Sequence, residues 1–240
     1  MLNNVIAVVR SYNEPNIGDH CSRLIGVVGA IVVVTPTNLE PEGLTENALR
    51  PVMLDNKNVH QVKTLMKDHN SWSAMLNVGL GYVRALNSQR NERFGYLLNH
   101  SNTASFAESH LSAMRSRFEN DHSNLGVVGT TFAGYLADGT REPLGRAYDH
   151  PRNTGMMINL RVFDSDPLLA GFDPRWDGAG GMEDYDFIGK MRALSPYKAW
   201  LLHLQVPLLI GRHRDQAEYT KLMEGGIAAV DAYHQEMGWR

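Results

Sequence analysis

The chain has 240 residues, 43% of them hydrophobic and 20% charged, with a formal net charge of -3. That length fills one α/β domain around a single core, and the composition is that of an ordinary globular protein. With no long run of Lys or Arg, the charge argues against a nucleic-acid footprint, which needs clustered cations to displace counterions.

The first predicted element is Val5 to Val9, a continuous apolar run closed by Arg10-Ser11-Tyr12-Asn13-Glu14-Pro15. Short β-branched runs closed by polar turn residues read as buried strands of a parallel sheet. Ile17 to Val28 holds a short helix, weakened by Gly18 and Gly26. The single cysteine, Cys21, excludes an intrachain disulfide and agrees with a reducing compartment. Nothing around it marks an activated thiol, so it reads as structural. Ala30 to Val34 is the next strand, ending at Thr35-Pro36-Thr37-Asn38. The surrounding apolar stretch, Leu24 to Thr35, is too short to cross a bilayer, which needs about 20 apolar residues. The opening Met1-Leu2-Asn3-Asn4 lacks the basic region of a signal peptide, so a cytoplasmic location is expected.

A third strand is expected at Pro51 to Leu54 and a helix from Ser71 to Leu86, with Ser71 as N-cap and Trp72, Met75, Leu76, Leu80 and Val83 mostly on one face. Phe94 to Leu98 is a strand that stops at Asn99-His100-Ser101-Asn102-Thr103. A helix from Ser105 to Phe118 and a strand at Gly126 to Gly129 follow. Thr131 to Arg152, rich in Gly, Asp and Arg, reads as a mobile or ligand-covering loop. Met156 to Val162 reads as a strand, Asp184 to Leu194 as a helix, and Ala199 to Ile210 as one or two strands. Gln216 to Met237 is a helix interrupted at Gly225-Gly226. The alternation of strand and helix predicts a mostly parallel sheet flanked by helices in one domain spanning residues 1–240.

Ligands of such a sheet bind beyond the carboxyl ends of the strands. No glycine-rich phosphate loop follows the first strand, which argues against a dehydrogenase or a P-loop enzyme. Ser11-Tyr12-Asn13-Glu14 instead resembles the opening of the family 2-type glycosyltransferases of the GT-A fold, where the end of the first strand often reads Thr-Tyr-Asn-Glu. Asn77-Val78-Gly79-Leu80 with Ala85 resembles that family's Asn-x-Gly-Leu-x-x-Ala helix. Gly171-Phe172-Asp173 and Gly180-Gly181-Met182-Glu183-Asp184-Tyr185-Asp186-Phe187 resemble its acceptor-side segment, in which a Glu-Asp pair opens a helix.

The resemblance implies a GT-A-like domain with a nucleotide-binding part over about residues 1–103 and an acceptor-binding part over about 104–240. It implies transfer of a sugar from a nucleotide-diphosphate donor to an acceptor hydroxyl, with inversion. Arg10, Ser11, Tyr12, Asn13, Glu14, Thr35, Asn77, His100, Ser101 and Asn102 fall on the nucleotide side, and Trp176, Gly180, Gly181 and Glu183 on the acceptor side. Asp184 is the expected base and Glu183 its alternate, because an inverting enzyme needs a carboxylate to take the acceptor proton. The plainer reading of Glu183, Asp184 and Asp186 is first-turn acids that stabilise a helix.

The chain departs from the family at its metal site. Where the family carries two aspartates that hold a divalent cation, this chain has His100-Ser101-Asn102. Two readings follow. Mn²⁺ or Zn²⁺ binds through His100 and Asn102, with His213 completing the set, because imidazole suits transition ions better than Mg²⁺. Otherwise Arg10, Arg152, Arg212 or Arg214 neutralises the diphosphate directly. The acceptor remains open among a saccharide, a small molecule, a lipid-linked sugar and a modified base. A catalytically silent sugar- or nucleotide-binding protein and a nucleotidyltransferase are the competing readings.

Overall fold

The computed structural model describes residues 2–12, 14–38, 43–65, 72–89, 94–101, 104–105, 108–120, 124–130, 132–135, 155–177, 182–202, 208–211 and 216–239. Backbone contacts divide the chain into two compact units, Met1–Asn102 and Thr103–Arg240.

In the first unit, β1 (Leu2–Arg10), β2 (Val28–Pro36), β3 (Val59–Thr64) and β4 (Tyr96–Ser101) form a parallel sheet in the order β3-β2-β1-β4. Val5 to Val9 and Ile31 to Val34 are fully buried, which is why the two central strands read as unbroken apolar runs. The strands are connected through α1 (Ile17–Leu24), α2 (Leu44–Asp55) and α3 (Trp72–Gln89). The first two crossovers step outward from β1, and the third returns across the sheet. Right-handed crossovers therefore put α1 and α2 on one face and α3 on the other. A Cβ at Gly79 would lie 2.5 Å from Val8 and 3.2 Å from Val34, so this glycine lets α3 rest directly on the β1–β2 floor.

The segment Pro51 to Leu54, expected as a strand, is the last part of α2, with Pro51 inside the helix. Packing overrides the proline: Thr45 and Leu49, one turn apart, are buried, and α1 approaches so closely that a Cβ at Gly18 would sit 2.7 Å from the Ala48 carbonyl. The third strand lies further on, at Val59–Thr64. This half-exposed strand at the end of the order has no apolar run to reveal it.

The second unit comprises β5 (Ala104–Ser105), α4 (Glu108–Asn120), β6 (Leu125–Thr130), β7 (Phe132–Tyr135), β8 (Met156–Asn159), α5 (Glu183–Leu194), β9 (Lys198–Leu202), β10 (Leu208–Gly211) and α6 (Gln216–Glu236). β6 pairs antiparallel with β8 and parallel with β9. β10 pairs antiparallel with β5 and parallel with β7. The rings of Phe163, Phe172 and Phe187 pack with centroids 4.9 to 5.9 Å apart. A Cβ at Gly126 would meet Met191, Tyr197 and Val162 at 2.6 to 2.8 Å, so α5 closes on β6 only over a glycine.

Three expectations change here. The Thr131 to Arg152 loop opens with strand β7, and its residues 136–152 lie outside the described residues. The strand from Met156 ends at Asn159, whose side chain accepts from the Arg161 amide at 3.1 Å and starts a 3-10 turn over Leu160–Asp164. Gly225-Gly226 does not interrupt α6, because Ile227, Val230 and Tyr233 at helical spacing pack with Trp176, Met182 and Tyr185. Among the described residues no helix is long and apolar enough to cross a membrane.

Candidate functional site

Parallel register brings the ends of the strands in the first unit to one edge. Arg10 is opposite Val34 of β2 and Ser101 of β4, and Val9 is opposite His100. Arg10, Ser11, Thr35 and His100 therefore share the carboxyl edge of the sheet, and all four are buried.

Each has partners there. The Arg10 guanidinium carbon sits 5.1 Å from the centroid of the Trp72 ring, at the first residue of α3. Ser11 and Thr45 hydroxyls lie 3.3 Å apart, and Thr45 Oγ1 also accepts from the Glu14 amide at 3.3 Å. Glu14 Oε1 accepts from the Asn16 amide at 3.1 Å, which fixes the turn into α1. Thr35 Oγ1 accepts from Gln61 Nε2 at 3.2 Å, tying β2 to β3. His100 and His20 stack with ring centroids 4.7 Å apart. Burial, and then the charges of His20 and Arg10, push the His100 imidazole well below its ordinary 6.5, so it is neutral at physiological pH.

Tyr12 is half-buried, and so is Asn77, in the first half of α3. Asn13 and Asn102 lie outside the described residues, as do Arg152, Gly180, Gly181, Arg212, His213 and Arg214. Sequence reasoning missed His20, Thr45 and Trp72 as neighbours of this edge. They come from helices after other strands, and no local motif marks them; Trp72 had read as core.

The resemblance implies a divalent cation at the end of β4; of the residues expected to hold it, Asn102 and His213 lie outside the described residues, and what the described strand end offers suits Mg²⁺ or Mn²⁺ poorly. Mg²⁺ and Mn²⁺ prefer anionic oxygen ligands. Here the strand end offers the neutral imidazole of His100, with the Arg10 guanidinium on the adjacent strand. Two like unit charges 4 Å apart repel by about 4 kcal/mol at an effective dielectric near 20, and a dication doubles the figure. Among the described residues no three His, Cys, Asp or Glu side chains are grouped to hold a metal.

In the second unit, α5 begins with Glu183, Asp184 and Asp186, all buried, after Met182, which supplies no side-chain cap. Asp184 Oδ1 accepts from the Tyr185 amide at 2.7 Å. Asp186 is held by His234 Nε2 at 2.9 Å and by Lys190 Nζ at 2.6 Å. Lys190 also donates to Asp173 Oδ2 at 2.9 Å, and Arg175 pairs with the same oxygen at 3.0 Å. Asp186 and Asp173 thus serve a buried ion network that docks α6 against α5. Glu183 and Asp184 are buried as well, and the bond from the Tyr185 amide to Asp184 is one that a first-turn acid makes with a helix N-terminus. Trp176, expected on the acceptor side, is only 7% exposed and packs against Tyr233 with centroids 5.8 Å apart. Its ring belongs to the core of this unit.

A cavity of about 540 Å³ lies at the opposite, amino-terminal edge of the first sheet, between Asn3, Ile25, Gly29, Asn56 and Val59. None of its lining residues is charged, so it does not suit a diphosphate.

No protein-family model matches this chain, and no curated protein matches it in sequence. Solved structures do match in fold. The chain is similar to mannosyl-3-phosphoglycerate synthase from Rubrobacter xylanophilus, with a TM-score of 0.59 and 13% identity over 98% of this chain and 74% of that one. It is similar to glucosyl-3-phosphoglycerate synthase from Mycobacterium tuberculosis in complex with phosphoglyceric acid, with a TM-score of 0.56 and 12% identity over 94% and 78% of the two chains. The same enzyme in complex with Mn²⁺ and uridine-diphosphate-glucose gives a TM-score of 0.54 and 10% identity over 93% and 76%. These neighbours are glycosyl-3-phosphoglycerate synthases, and what this chain shares with them is the GT-A glycosyltransferase fold.

Proposed function

We propose that this chain is a glycosyltransferase that moves a sugar from a nucleotide-diphosphate donor to an acceptor hydroxyl. The observation that carries the reading is the gathering of Arg10, Ser11, Thr35 and His100 on one carboxyl edge, in a fold shared with a transferase solved with UDP-glucose. Open α/β sheets bind their ligands beyond that edge. The nucleoside is assigned to the loop from Ser11 to Glu14 with Thr35, Asn77 and the end of β4, and the acceptor to the second unit.

Transfer builds negative charge on the departing diphosphate and positive charge on the sugar ring. A cation at the diphosphate lowers the first cost. A carboxylate that takes the acceptor proton as the new bond forms makes the hydroxyl oxygen the stronger nucleophile that the cationic sugar carbon receives. Asp184 is assigned that role, with Glu183 beside it, because the family resemblance places a Glu-Asp pair where a helix opens and the two residues begin α5.

The test is a transfer assay with UDP-, GDP- and ADP-sugars. Its acceptor panel starts from 3-phosphoglycerate, the acceptor named in the solved neighbours, and continues through saccharides and lipid-linked sugars. Asp184→Asn is expected to abolish transfer while leaving nucleotide affinity nearly intact. Undiminished transfer by that variant would sink the base assignment. Product stereochemistry by NMR decides the second half of the reading: an inverted anomer fits Asp184 as base, and a retained one contradicts it. Nucleotide binding without turnover of any donor would favour the silent binding protein, which draws its support from the missing aspartate pair.

A further inference from the structure

We propose that this chain holds the donor diphosphate with a guanidinium on an aromatic shelf, Arg10 over Trp72 flanked by His100 and His20, in place of a chelated divalent cation. The inference rests on the nucleotide-sugar reading above and deepens it at one subsite.

Arg10 is the last residue of β1 and faces Ser101 of β4 in register, one position beyond His100. The family resemblance puts two acidic side chains at this strand end. This chain puts there a permanent cation and two imidazole rings with centroids 4.7 Å apart. The exchange inverts the local electrostatics. A dication is repelled by the guanidinium, and a diphosphate is attracted to it.

The geometry suits the second ligand. A guanidinium presents planar N–H pairs that match two phosphate oxygens, which a point charge does not. Trp72 lies 5.1 Å beneath it, close enough for cation–π attraction. With Arg10 only 6% exposed, the side chain is already ordered by its surroundings, so little freedom is lost when it grips an anion. Trp72 opens α3 and Arg10 ends β1, so the shelf is built by the strand-helix packing that makes the fold.

The experiment is calorimetric titration of the whole chain with UDP, GDP, ADP and inorganic pyrophosphate, each in MnCl₂ and again in EDTA. The expected result is a nucleoside diphosphate whose Kd in EDTA lies within about threefold of that in Mn²⁺. Arg10→Met should weaken that binding at least ~10-fold, the loss of one charge-assisted phosphate contact, with affinity for the matching nucleoside unchanged. Arg10→Lys should recover part of the loss. Trp72→Leu, which leaves every charge in place, should weaken binding severalfold and keeps the test open if Arg10→Met does not fold. Binding that needs Mn²⁺ overturns the inference and leaves the transferase reading standing. Unchanged affinity in a folded Arg10→Met also overturns it. Failure of every nucleotide in both conditions overturns the inference and the nucleotide-sugar reading together.

Discussion

Replacing Gly189 with alanine tests the buried network that docks α6 against α5. A Cβ at this position would lie 2.2 Å from Cε1 and 2.6 Å from Nδ1 of His234. The ring has nowhere to retreat: it is fully buried, its Nε2 is bonded to Asp186 at 2.9 Å, and Trp239 stands edge-on with its centroid 5.4 Å away. Overpacking a filled core costs about 1 to 3 kcal/mol. Pulling His234 off a buried carboxylate costs about 1.5 to 3 more. Against these, alanine gains about 1 kcal/mol of helix propensity over glycine. The net expectation is a loss of about 3 kcal/mol, which in a chain of this size lowers Tm by roughly 6 to 12 °C. Thermal and urea unfolding of Gly189→Ala measure it. The double variant with His234→Ala should be no less stable than His234→Ala alone, because removing the ring removes the clash. A Gly189→Ala protein as stable as the parent, or more stable, would refute the reasoning and leave helix propensity as the only effect.

Two further outcomes follow from the titrating groups. Burial pushes the Asp173 carboxyl up, but the hydrogen bond from Lys190, that from the Arg175 amide and the charges of both more than offset it and hold it below its ordinary 3.8. A depressed folded value means stability that is present above about pH 4 and lost as the pH falls through the folded pKa. Asp173→Asn should lower Tm at pH 7 and give a shallower fall in acid, and an acid limb parallel to the parent's would contradict the pairing. Burial also pushes the Cys21 thiol up to about 12, so at pH 8 only about one group in ten thousand is a thiolate. An aromatic disulfide reagent should label Cys21 no faster than the chain unfolds and at once in denaturant. Rapid labelling of the folded protein would show a thiol that the structure does not.

How much was legible in the sequence follows from which residues carry their own signal. The runs Val5 to Val9 and Ala30 to Val34 declare buried parallel strands, because both faces of such a strand are covered and no polar residue breaks the pattern. The helix from Trp72 was equally plain, since its apolar face repeats with the helical period. By contrast β3 is half-exposed and mixed in composition, and the Pro51 segment is helical only because α1 packs onto it. Gly225-Gly226 would end an isolated helix, yet α6 continues because its stripe is anchored by Trp176 and Met182. The resemblance carried by Ser11 to Glu14 and by Gly180 to Phe187 pointed to a fold, and the fold is the one observed.

The site divides in the same way. The sequence by itself determined the buried centres of β1, β2 and β4, because an apolar run is local, while β2 and β4 run two to three residues past the polarity break. Only the tertiary structure decided what the residues at the strand ends meet. Register puts Arg10 beside Ser101, packing of α3 brings Trp72 under its guanidinium, and α1 brings His20 to His100. It also decided that Trp176 is core and that Asp186 belongs to His234 and Lys190. Apart from Lys190, one helical turn from Asp186, those partners come from elements tens of residues apart. No spacing rule reaches across that separation, because proximity there is set by how whole helices pack on a sheet.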